Sequence, residues 1–254
     1  ISQFSEKDVS VVHQNLDDRE LYRPGIRTLE WAYDFLISKK YIEEKDSNKF
    51  DDYLLVDEEN SRMKVLLKGQ QSDKIDLIMR TGEIIEQLKD EVETNKHDIT
   101  IIGGGGNKGI HQKLVQFIDS SVFVVKNYSV SKKYKILLPV NDSKGSDMAI
   151  ETAINFAKSY KLNVEIVSVP EGKKSIEEVE KILQKTKEKF SKNRIKTTTK
   201  LIDGPTVNSI VNYAKDDSIV ILGVSPKNPI MKYFFGSKPL SIAQKCNCPV
   251  LITK

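Results

Sequence analysis

Two glycine-bearing segments have the residue types and spacing to hold an anion. In the first, the apolar run Ile219-Val220-Ile221-Leu222 ends in Gly223, a loop with Ser225, Lys227 and Asn228 follows, and Gly236-Ser237 opens a further helix. A strand that ends in glycine and leads to a helix start aims unpaired amides and a positive dipole end at one place, which suits a phosphate. Ser237 would cap that helix equally well with no phosphate present. In the second, Gly103-Gly104-Gly105-Gly106-Asn107-Lys108-Gly109 offers flexible amides for an anion nest, with Lys108 adding charge.

Other chemistry finds little support. The chain has no Gly-x4-Gly-Lys-Ser/Thr loop, no His-x-Gly-His, no Ser-Gly-Gly-x-Asp-Ser and no Gly-x-Ser-x-Gly elbow, so no catalytic residue is expected. His97 and His111 flank the Gly-rich turn without a nucleophile or carboxylate at useful spacing and read as surface polar residues. The three histidines and the cysteines Cys246 and Cys248 lack metal-ligand spacing, so no metal is expected. The two cysteines are poorly placed to bridge, which fits a reducing compartment. Forty basic residues are interspersed with 36 acidic ones for a net charge of +4. That pattern disfavours nucleic acid as a partner.

The elements that would position these segments occur twice. Gly82 leads a helical run from Glu83 to Asn95, with Ile84, Ile85, Leu88 and Val92 on one stripe. Asp98 to Ile102 then reads as a buried strand ending at Gly103. In the second copy Gly204-Pro205 precedes a helix carrying Val207, Ile210, Val211 and Ala214, and Asp217 to Leu222 leads to Gly223. Each copy closes with a short helix and an apolar strand, Val122 to Val125 and Pro249 to Ile252. Such a duplication implies two units, 1–130 and 131–254, joined by the polar stretch from Lys126 to Lys135.

The second unit adds a strand at Lys135 to Val140, a helix at Met148 to Lys158 and a strand at Val164 to Val169. A charged helix at Ser175 to Lys192, most simply a solvated face with helical ion pairs, and a strand at Lys196 to Ile202 follow. Strict alternation of apolar strands with helices implies an α/β class with a doubly wound parallel sheet in each unit, in tandem. The first unit is less regular. Residues 8–14 read as its first strand, Ile26 to Tyr41 as a helix with Trp31, Phe35 and Leu36 inward, and Asp52 to Val56 as a strand. Lys64 to Leu67 reads as either a helix turn or an extra strand.

At the loop after Gly223 the chain resembles the universal stress proteins, the UspA-like family within the adenine nucleotide alpha hydrolase-like fold. Its nucleotide-binding members carry Gly-x2-Gly-x9-Gly-Ser/Thr. Here Gly223 is followed by Pro226 at the second glycine and then Gly236-Ser237. The family's Val-Asp-x-Ser opening appears as Val140-Asn141-Asp142-Ser143, with Ala149 and Ala153 on the next helix, and its ending as Cys248-Pro249-Val250-Leu251; the likeness covers residues 134–254. Pro226 lacks an amide hydrogen and cannot take positive φ, and Asn141 stands where relatives place an aspartate beside the adenosine. Measured against this pattern the first unit's loop is short, since Gly103 lies 18 steps before Ser121 whereas Gly223 lies 26 before Pro249. Gln116-Phe117 stands where Gly-Ser would fall, so a tight turn without a ligand is expected there.

The resemblance implies a non-catalytic, cytoplasmic regulatory protein that holds ATP or AMP, if any cofactor, at the C-terminal unit. Gly223, Gly236 and Ser237 would meet the phosphates, and Asn141, Ser143 and Val169 would border the rest of the nucleotide. It equally permits a cytoplasmic regulatory or dimerising domain of a membrane ion transporter, of the cation-chloride cotransporter or cation/proton antiporter kind, that has lost its nucleotide. The chain opens Ile1-Ser2-Gln3 with neither a methionine nor a signal sequence, so it is expected to begin inside a longer chain or after a removed tag, and in the transporter reading a membrane part would precede it. Strands Ser121 to Val125 and Pro249 to Thr253 are expected at sheet edges, where relatives pair. Self-association is therefore expected between the units, between chains as a homodimer, or both.

Overall fold

The computed structural model of the protein describes residues 16–42, 53–67, 75–105, 108–172, 175–224 and 238–254. They divide into two compact units, Ile1–Gln87 and Leu88–Lys254, whereas the sequence repeats meet near residue 130. Strands expected in the first repeat therefore lie in the second unit.

In the first unit, helix α1 (Leu16–Ser38) packs Ile26 and Tyr33 into a core with Leu29, Leu36 and Ile37 alongside. Trp31 and Phe35, expected to face inward, are instead 69% and 44% exposed and stack on each other at 5.9 Å. At 3.6 residues per turn the stripe through 26, 29, 33, 36 and 37 leaves 31 and 35 on the far side. Strands β1 (Tyr53–Glu58), β2 (Arg62–Leu67) and β3 (Leu77–Arg80) form an antiparallel sheet in the order β1-β2-β3.

A doubly wound parallel arrangement was the expectation for this part of the chain, and the turn at 59–61 explains the difference. Asn60 and Ser61 take φ of 60° and 58°, the left-handed conformation of a tight hairpin. So short a connection joins only antiparallel strands. Lys64 to Leu67 is thus strand rather than helix turn, and the strand expected at 8–14 lies outside the described residues.

The division between units falls within α2 (Ile84–Asn95), of which Val92 is buried. The second unit holds a seven-stranded sheet made of β4 (Ile99–Gly103), β5 (Ser121–Val125), β6 (Lys135–Pro139), β7 (Val164–Ser168), β8 (Thr197–Leu201), β9 (Ser218–Gly223) and β10 (Val250–Thr253). Its order is β4-β5-β10-β9-β6-β7-β8, parallel throughout except where β5 meets β10. Helices α3 (Lys108–Phe117), α4 (Lys144–Tyr160), α5 (Ile176–Lys192), α6 (Thr206–Tyr213) and α7 (Lys238–Lys245) connect the strands.

Burial of Ile136, Leu137 and Leu138 in β6 and of Val220, Ile221 and Leu222 in β9 marks strands covered on both faces, which explains their unbroken apolar runs. One face packs against α4 and α5 through Ala149, Ala153, Leu183 and Phe190, the other against α6 and α7 through Ile210, Leu240 and Ile242. Small residues on α4 bring it close to the sheet. Its start is fixed by Ser143, whose Oγ accepts the Ser146 amide at 3.2 Å, and α5 begins with a reciprocal capping box between Ser175 and Glu178.

Two expectations about strand position are corrected. The strand at Asp98 to Ile102, expected to be buried, is β4, an outermost strand, and Ile99 and Ile101 alternate outward at 39% and 67% exposure. The final strands of the two repeats are not at edges. They pair with each other, β5 against β10, with Val250 opposite Val124 and Ile252 opposite Val122. Apolar strands with paired neighbours on both sides are buried more completely than edge strands could be.

Candidate functional site

From β6 the chain steps outward to β7 and β8, then returns to the other side of β6 for β9 and β10. The loops leaving β6 and β9 therefore diverge to opposite faces, and a crevice opens beyond their carboxyl ends. A cavity of about 290 Å³ lies there, at the small end of the ~300–1,000 Å³ typical of ligand sites.

Its walls are apolar, from Val140, Val167, Val169, Ile210, Leu222 and Val224. One end is closed by backbone. Gly223, the last residue of β9, lies against Gly145 in the first turn of α4, and a Cβ at 223 would fall 1.6 Å from the Gly145 carbonyl oxygen. Only glycine permits this approach.

Most polar groups along the cavity are already engaged. The Asn141 amide donates to Ser146 Oγ at 2.8 Å, and Asn141 Oδ1 accepts from the Ser143 amide at 3.0 Å and from Ser146 Oγ at 2.9 Å. Ser168 Oγ donates to the Val140 carbonyl at 2.8 Å. Asn141 thus acts first as an organiser of the β6–α4 turn. At the mouth stand Glu171, Thr206 and Lys238: the Thr206 hydroxyl and the Lys238 ammonium both donate to the Glu171 carboxylate.

Of the residues expected to bind a cofactor, the structure brings Asn141, Ser143, Val169 and Gly223 together around this cavity. Gly236 and Ser237, with Pro226, lie outside the described residues. Sequence reasoning missed Ser146, Ser168, Glu171, Thr206 and Lys238. Thr206 had a usable signal, the Gly204-Pro205 helix start, but Glu171 follows β7 in a loop with no periodic pattern.

Beside the glycine-rich turn lies a more polar recess of about 670 Å³. The Lys126 ammonium on its wall donates to the carbonyls of Ala243, Gln244 and Cys246 at 2.6, 3.2 and 3.2 Å, and so serves the end of α7. Cys246 and Cys248 are free and buried. Among the described residues no group of three or more His, Cys, Asp or Glu could hold a metal ion. No described helix is long and apolar enough to cross a membrane.

Residues 134–254 match the model of the Universal stress protein family, and this part of the chain is a UspA-like domain. A universal stress protein of Methanocaldococcus jannaschii is 27% identical over 138 residues, covering 47% of this chain and 81% of that protein. One from Bacillus subtilis is 25% identical over 147 residues, covering 47% of this chain and 98% of its own length. Among solved structures, a universal stress protein from Archaeoglobus fulgidus aligns with a TM-score of 0.55 at 17% identity, over 67% of this chain and 64% of that one. That likeness is one of fold.

Proposed function

We propose that the UspA-like domain is a non-catalytic regulatory module that binds an adenine nucleotide, ATP or AMP, in the cavity at the switch point. The supporting observation is the cavity itself: a largely apolar slot beyond the carboxyl ends of β6, β7 and β9, whose buried serines, Ser146 and Ser168, are already hydrogen-bonded within the protein. Valine and leucine walls suit a purine ring, and the starts of α6 and α7 at the rim suit a sugar phosphate. Isothermal titration of the full chain with ATP and with AMP tests the proposal. Saturable binding at or below millimolar nucleotide is expected, and its absence for both ligands overturns the reading.

A further inference from the structure

Glu171 lies just beyond β7, and its carboxylate stands at the mouth of the cavity. Oε1 accepts from the hydroxyl of Thr206, the first residue of α6, and Oε2 is ion-paired with Nζ of Lys238, the first residue of α7. Two helices thus begin around one carboxylate, and helix starts attract negative groups through unpaired amides and dipole. Among the described residues that line the cavity, Lys238 is the one cationic side chain. The most favourable place for a ligand's anionic end is therefore already filled by the protein's own anion.

We propose that Glu171 is a built-in competitor for the phosphate of the ligand, and that a nucleotide enters by taking Lys238 and Thr206 away from it. The proposal rests on the adenine-nucleotide reading of the cavity and adds the charge preference of the site. The ion pair is partly open to water, at 54% side-chain exposure for Lys238 and 35% for Glu171. Pairs of such exposure hold weakly, so the exchange is feasible. Once displaced, Glu171 keeps its negative charge at the mouth, and each further phosphate approaches it at a cost. The site as built therefore favours few phosphates, with adenosine and AMP bound comparably and ATP more weakly.

The test is calorimetric titration of the full chain with adenosine, AMP and ATP, for the wild type, Glu171→Gln, and Glu171→Gln combined with Lys238→Met. The glutamine keeps the shape and the Thr206 contact and removes the charge. In Glu171→Gln, AMP affinity is expected to rise about fivefold and ATP affinity to rise further, with adenosine unchanged. The added Lys238→Met should cancel the gain for AMP and ATP alone. Equal changes for adenosine and AMP in Glu171→Gln, or no change for AMP, overturn the proposal while leaving nucleotide binding intact. Failure of all three ligands to bind any of the proteins overturns the nucleotide reading and the competitor with it.

Discussion

Gly223 and Gly145 meet backbone to backbone, so close that a β-carbon on Gly223 would fall within 1.6 Å of the Gly145 carbonyl oxygen and 2.4 Å of its carbon. The contact joins the carboxyl end of β9 to the first turn of α4 and closes one end of the cavity. Gly103, the glycine that the sequence pattern suggests as its counterpart, has no such neighbour, since a Cβ there meets nothing within 4 Å.

Replacing each of these glycines by alanine separates the two situations. Gly223→Ala must push β9 and α4 apart and is expected to cost ~3 kcal/mol or more. Gly103→Ala should stay within about 1 kcal/mol of the wild type. Urea denaturation of both variants reads the difference, and similar midpoints would contradict the close approach.

Asn141 is a structural acceptor before it is anything else, because its Oδ1 takes hydrogen bonds from the Ser143 amide and the Ser146 hydroxyl. An aspartate keeps both acceptor contacts and places a charge at the start of α4, so Asn141→Asp should be neutral or stabilising by a few tenths of a kcal/mol to about 1. Asn141→Leu leaves the Ser143 amide and the Ser146 hydroxyl without this partner, at a cost of about 1–3 kcal/mol. Thermal unfolding of the pair ranks them, and equal losses would show that the acceptor is dispensable.

At the opposite end of the strands the Tyr213 hydroxyl donates to Glu165 Oε1 at 2.5 Å, and Lys135 Nζ lies 2.9 Å from Oε2. Burial and the Glu165 hydrogen bond push the Tyr213 phenol up to about 12. Burial pushes the Glu165 carboxyl up as well, but the hydrogen bonds from Tyr213 and Lys135 more than offset this and hold it below its ordinary value. The Tyr213 contribution is therefore complete below its unfolded pKa of ~10 and is lost as pH rises towards 12. That of Glu165 is present above an unfolded pKa of ~4.3 and fades as pH falls. Melting temperatures of the wild type and Tyr213→Phe should converge above pH ~10 after differing at neutrality. A constant gap through that range would exclude the linkage.

Lys126 follows β5 and reaches three carbonyls around the end of α7, where a cation also meets the negative end of the helix dipole. Lys126→Met removes the charge and the donors together and should cost about 1–2 kcal/mol. Because these bonds join the segment after β5 to α7, amide exchange in β5 is expected to quicken. Unchanged protection of β5 would place its anchoring elsewhere.

The strand and helix pattern of residues 134–254 was legible because each central strand is buried on both faces and each helix carries one apolar stripe. Ile136 to Leu138 and Ile219 to Leu222 announce themselves by composition alone. The partnership of β5 with β10 was not legible, since an apolar strand reads the same whether it is paired on one side or on two. Trp31 and Phe35 misled for a related reason, being large and apolar yet on the wet side of α1. In the candidate site, Asn141, Ser143 and Gly223 could be named from motif positions, and Val169 from the family resemblance. Glu171 and Lys238 could not, because they lie 67 positions apart and only the fold brings them into contact.

By laying β5 along the flank of β10, the chain uses that side of the sheet for itself. A visiting strand could extend the described sheet only beyond β4 or β8. These two borders are unlike: β8 carries Lys200, a charge that discourages stacking of strange chains, whereas β4 runs Ile-Thr-Ile-Ile-Gly with no charge along its length. Lengthening of the sheet is thereby biased to one direction.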